Sequence, residues 1–159
     1  MKYLIVGMVL ILLFLLYQNR SLPPNPEMTL KINKYLSYIK KNYSSDKDVQ
    51  TILNKYKGRI VYFKDNGHYT GYISGHGREI GICSKSSSNS ATSIDDMMFV
   101  FLHELSHCAC QTYEHDDNFW KKFEKIERWA MESHIIDMNK VSKEICSVNV
   151  IRPLNMVKK

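Results

Sequence analysis

An α+β fold is the prediction for this 159-residue chain, and three patterns carry it. Apolar residues recur at helical spacing before residue 58 and again after residue 93. Between them, residues 59–84 switch to the period of two that marks strands. Gly, Asn, Asp and Ser clusters punctuate each change of period. With 44% hydrophobic residues there is material for one compact core. The expected order is a helical part over 27–57, a small antiparallel β-meander over 59–84, and two packed helices over 93–138. Together they form one domain over 27–159.

The N-terminus is expected to stand apart. Residues 4–16 carry no charge, with Lys2 in front and Tyr3 and Tyr17 at the edges. The run has no polar stripe to mark a solvent face, and no A-x-A-like cleavage site follows it. Residues 1–20 are therefore expected to form a retained transmembrane helix, its tyrosines at the membrane interfaces. Residues 21–26, with Pro23, Pro24 and Pro26, read as a stiff linker. Lys2 opposes Arg20, Lys31 and Lys34, a balance that slightly favours a single-pass protein with its domain in the cytosol.

In the helical part, Asn25 caps a helix that has Pro26 at its first position and Ile32, Tyr35, Leu36, Ile39 and Tyr43 on one face. Ser45-Asp46-Lys47-Asp48 reads as a capping box for a second helix, with Val49, Ile52, Leu53 and Tyr56 at helical spacing and Gly58 as its stop. Residues 59–64 and 69–73 read as strands joined at a hairpin turn, Asp65-Asn66-Gly67-His68. Ser74-Gly75-His76-Gly77 makes the next turn, and residues 78–84 a third strand. His68 and His76 are thus expected in turns rather than among metal ligands. Residues 85–90 form a polar, serine-rich loop.

The chemistry concentrates in the next helix, at His103-Glu104-Leu105-Ser106-His107. Two histidines four apart on a helix point the same way, so both imidazoles can reach one metal ion, with the glutamate beside it. Ile94, Met97, Met98, Phe101, Leu102, Leu105 and Ala109 line one face of this helix; Phe99 and Val100 flank the histidines on the other. Such a helix runs through an interior with a polar pair aimed into a cleft. Ser93-Ile94-Asp95-Asp96 reads as its capping box. A catalytic zinc needs a third protein ligand and one open position. The helix should break near residues 111–113, and Asp116, Asp117 and Asn118 signal a new N-cap. A turn there brings His115 back toward the metal. Glu127, on the following helix, is the alternative third ligand, and Asp116 is a further candidate, as ligand or as a partner orienting a histidine. Tyr113 and His134 are weaker candidates for transition-state stabilisation.

These residues resemble a known family. HELSH, then His115-Asp116, then Phe119-Trp120 opening another helix, is similar to the WLM/SprT-like (Wss1-type) minimal zinc metallopeptidases, which include short versions from large DNA viruses. The likeness covers roughly residues 59–150, its specific residues lying between 98 and 120. Ile80-Gly81-Ile82-Cys83 and Ile145-Cys146-Ser147 look more weakly like the viral members. The resemblance implies a minimal zincin-like domain, with its meander packed on the HExxH helix. It also implies Zn2+ held by His103, His107 and His115, with Glu104 as general base.

The expected function is hydrolysis of peptide bonds in a protein or peptide substrate: Glu104 takes a proton from a metal-activated water and later delivers it to the leaving amine. The segment 80–84, if it forms a sheet edge, would align an extended substrate. One alternative is a non-catalytic, zinc-stabilised, membrane-anchored binding module. The resemblance also implies another, a DNA-associated protease acting on DNA-bound proteins; the net charge of +6, with Lys31, Lys34, Lys40, Lys41, Lys47, Lys55, Lys57 and Arg59 interleaved with tyrosines, is compatible with a basic patch for it. Lipid headgroups compete with nucleic acid for that patch, so nucleic acid is not the favoured partner. Cys108 and Cys110, two apart on a helix, point away from each other and cannot easily pair; a Cys83–Cys146 bridge stays open.

Overall fold

The computed structural model describes residues 22–150. Its elements are α1 (Pro26–Asn42), α2 (Lys47–Lys55), β1 (Arg59–Lys64), β2 (Gly71–Ser74), β3 (Glu79–Lys85), α3 (Ile94–Ala109), α4 (Asp117–Glu132), β4 (Glu144–Ile145) and β5 (Val148–Asn149). The α+β class matches the expectation, as does the order of elements through α4; the short β4–β5 hairpin was not expected.

The helix starts follow from short polar side chains satisfying first-turn N–H groups. Asn25 accepts from Met28 N, Asp46 from Asp48 N and Val49 N, Ser93 from Asp96 N, and Asp116 from Phe119 N. Two details depart from the capping boxes expected. Asp46, not Ser45, caps α2. Asp96 does not reach back to Ser93; its carboxylate accepts from the Ser142 N–H at 2.7 Å and the Ser142 hydroxyl at 3.0 Å. It thereby ties the loop after α4 to the first turn of α3.

The strands depart further. They form one three-stranded sheet in the order β1-β3-β2, with β1 parallel and β2 antiparallel to β3. The expected antiparallel meander is corrected to a mixed sheet. Asp65 and Asn66 turn the chain locally, accepting from Gly67 N and His68 N, but the expected hairpin does not form, because β1 and β2 pair with β3 and not with each other. The chain then carries β2 past β1 to the far side of β3. The physical cause lies in β3, where residues 80–83 are all buried, and a strand buried on both faces belongs in the middle of a sheet. At the free side of β1, Leu22 N donates to Tyr62 O at 2.8 Å.

Among the described residues, no helix is long and apolar enough to cross a membrane. This overturns the expected transmembrane helix and, with it, the single-pass placement; the run at residues 1–20 lies outside the described residues. The described helices are short or two-faced. Even α3, the most apolar, has 16 residues and spans ~24 Å, against ~30 Å of hydrocarbon, and it carries His103, Glu104 and His107.

That helix is instead the axis of the core. It contacts α1, α2, α4, β2 and β3, and is buried on nearly all sides. Met98, Phe101, Leu102 and Leu105 on α3 pack with Ile80 and Ile82 of β3, Ile52 of α2, and Phe119 and Phe123 of α4. Each such fully buried side chain contributes ~1.5–3 kcal/mol of apolar burial. The buried Tyr35 hydroxyl donates to Ile126 O at 3.1 Å, joining α1 to α4. A disulfide, Cys83–Cys146, ties β3 to the β4–β5 hairpin, while Cys108 and Cys110 are free and buried.

Candidate metal centre

His103 and His107 stand one turn apart on α3, their ring centroids 5.4 Å apart. The helix ends at Ala109, a little earlier than expected, and a short segment returns the chain before α4 begins. Two lysines fix that reversal. Lys122 Nζ donates to Ala109 O at 2.7 Å and Lys55 Nζ to Cys110 O at 3.0 Å, satisfying carbonyls that the helix end leaves without partners. At the far end, the Asp116 carboxylate accepts from Phe119 N at 2.8 Å. That capping bond sets Asp116 at the start of α4, one residue after His115.

The reversal returns His115 to the pair. Its Nε2 lies 2.9 Å from His103 Nε2, and one ligand atom from each of the three histidines lies within 4.8 Å of the others. Phe119 forms the floor, stacked on His107 at 4.4 Å and edge-on to His115 at 4.6 Å. Trp120 lies against the outer side of His115 at 5.7 Å. The aromatic pair opening α4 thus shapes the pocket that orients the imidazoles. Glu127 is buried in α4, but the structure does not bring it into this group.

Burial, with the other imidazoles adding to it, holds His103 down to about 3 and His107 down to about 4; burial lowers His115 as well. All three are neutral at ordinary pH, with ring-nitrogen lone pairs available to a cation. His107 Nδ1 is buried with no hydrogen-bond partner. Glu104, also buried, is pushed by that burial up to about 8. Its carboxyl lies under β2, where a Cβ built on Gly71 would come within 2.9 Å of Glu104 Oε1 and 2.5 Å of Val100 Cγ1. Gly71 therefore lets the strand pass directly over the acid. Sequence reasoning missed this residue, although a glycine inside a strand pattern does mark a close approach of backbone to something else.

Other candidates fall elsewhere. His68 is exposed in its turn, and His134 is exposed after α4 with φ 54. His76 also sits in a turn, as expected, yet its Nδ1 lies 3.1 Å from the Tyr113 hydroxyl on a cleft lined by His107. Of the cations expected in a basic patch, Lys31, Lys55 and Lys57 donate to backbone carbonyls and Arg59 pairs with Glu79.

Comparison with known proteins gives the family. The family model for the WLM domain matches residues 33–149, most of the chain. The chain belongs to the WLM domain family. The matched span of this WLM domain contains Glu104 and all three clustered histidines, and membership fits a metallopeptidase with a metal site. The domain is also similar to Uncharacterized protein R325 of Acanthamoeba polyphaga mimivirus, with 26% identity over 120 residues and 70% of this chain covered. The match spans 61% of the length of that relative. Two crystal structures of Wss1 from Saccharomyces cerevisiae are similar in part. One has 22% identity and a TM-score of 0.42, covering 46% of this chain and 58% of that one. The other, a mutant, has 20% identity and a TM-score of 0.45, covering 61% of this chain and 78% of that one.

Proposed function

We propose that this WLM domain is a zinc-dependent peptidase of the HExxH type, with His103, His107 and His115 holding the ion and Glu104 as general base. What carries the proposal is the convergence of three neutral imidazoles within 4.8 Å, beside a buried glutamate. The donor set fits the ion: imidazole nitrogen suits zinc, and three protein donors are the number a catalytic site uses. Zinc bound there supplies a Lewis acid for the scissile carbonyl, a water acidified toward neutrality, and a positive charge that draws Glu104 toward its carboxylate form.

The chain's own residues do the rest. Glu104 accepts a proton from the attacking water and passes it to the departing amine. Gly71 keeps the space that lets the acid lie against the substrate-facing strand. Segment 80–84 does not offer the sheet edge once expected to align a substrate, because β3 is the central strand. β2 lies at the other side of the sheet, next to Glu104, and its outer edge is the place where an extended peptide would pair. A closed structural zinc site would need a fourth protein donor. Among the described residues only the three histidines gather, which favours catalysis over a non-catalytic module.

The test is Glu104→Gln. The variant should retain zinc by elemental analysis while its cleavage of an unfolded protein substrate falls by ~10²-fold or more. Undiminished cleavage would remove Glu104 from the mechanism.

A further inference from the structure

Three segments distant in sequence meet beside His107: the end of α2, the turn between β2 and β3, and the chain after α3. They line a cleft through Lys55, His76, Gln111 and Tyr113, among others, with His107 as part of its wall. The assembly is tightly fitted. Gly77, at φ 100, seats the turn on α2; a Cβ there would come within 3.1 Å of the Lys55 carbonyl oxygen and 2.9 Å of Cys108 Sγ. Lys57 N donates to Gly77 O at 3.1 Å. Across the cleft, the His76 ring holds the Tyr113 hydroxyl.

The chemistry of this lining is one-sided. Lys55 is partly buried and brings a positive charge, of which one N–H is used on Cys110 O. No acid lines the cleft, and among the described residues no carboxylate lies within ion-pair distance of Lys55. Gln111 and Tyr113 add neutral hydrogen-bonding groups. A half-desolvated ammonium with spare donors discriminates between a carboxylate and its neutral isostere, because the neutral group leaves the charge without a counter-ion.

We propose that this cleft receives an acidic side chain of the substrate next to the scissile bond, with Lys55 as the residue that sets that preference. The inference rests on the peptidase reading and names the substrate class for it. His76, through Tyr113, shapes the opposite wall.

The experiment uses the full, zinc-loaded chain and pairs of peptides that differ only by Glu or Gln at one position, scanned along the peptide. At one position near the cleaved bond, the wild type should favour Glu by ~10-fold or more in kcat/KM. Lys55→Met should bring that ratio to about one, and Lys55→Glu should move the preference to a Lys peptide. The same Glu-to-Gln ratio should appear as binding affinity in Glu104→Gln, where nothing is turned over. A wild type that prefers neither peptide overturns the proposal. So does a Lys55→Met chain that slows both peptides equally and keeps the ratio, which would make Lys55 only the partner of the Cys110 carbonyl. If the chain cleaves nothing, the peptidase reading fails, and the binding ratio on the zinc-loaded chain still decides the pocket.

Discussion

A methyl group at position 71 would stand 2.5 Å from Val100 Cγ1 and 2.9 Å from Glu104 Oε1, closer than side-chain carbons approach such atoms. Gly71→Ala must therefore push β2 off α3 or turn the Glu104 carboxyl aside. The expected loss of stability is ~1–3 kcal/mol, typical of overpacking. A displacement of the acid by about 1 Å costs catalysis up to ~10²-fold. Calorimetric melting together with kcat on the zinc-loaded variant checks both; an unchanged kcat would mean the carboxyl does not need its present place. At this scale the meeting of His103 and His107 was legible, because a four-residue spacing on a helix dictates a shared face. Lys55 was not, because its role depends on Gly77 and Cys110, which only the folded chain brings to it.

The elements were legible where local chemistry decides them. Asn25, Ser93 and Asp116 satisfy N–H groups three residues on, and that geometry is written in adjacent residues. Strand order was not, since the period of two says which residues make a strand but not which strand lies beside it. Element packing also rests on a charge cluster that no spacing rule announces. Lys122 and Lys125 of α4 lie 2.6 Å and 2.8 Å from the carboxylate of Asp48 on α2, and Lys125 also reaches Asp46 at 2.6 Å. Burial alone would raise the Asp48 carboxyl, but hydrogen bonds and charge from the two lysines outweigh it and hold it below its ordinary 3.8. A carboxyl lowered on folding adds stability above its unfolded value and loses it as pH falls through the folded one. Asp48→Asn should thus melt a few degrees below wild type at neutral pH, the gap closing as pH drops below 3.8. Melting curves across that range check it; a gap independent of pH would assign the effect to packing.

For the molecule as a whole, the α+β class and the split into helical, strand and paired-helix parts could be read from period and punctuation. The Cys83–Cys146 bridge could not be decided that way: the two cysteines lie 63 residues apart, and their meeting depends on the tertiary packing of the β4–β5 turn against β3. Among the described residues no helix takes the membrane-spanning role, and what organises them is α3 and the reversal after it. That reversal is how a loop histidine joins two helical ones. Zinc titration of the full chain, followed by dialysis and elemental analysis, tests this most directly. The wild type should hold one ion per chain, and His115→Ala should bind it more weakly by well over the ~10–100-fold lost with a group that merely orients a ligand. A His115→Ala chain that binds zinc as tightly as wild type would contradict the three-histidine centre.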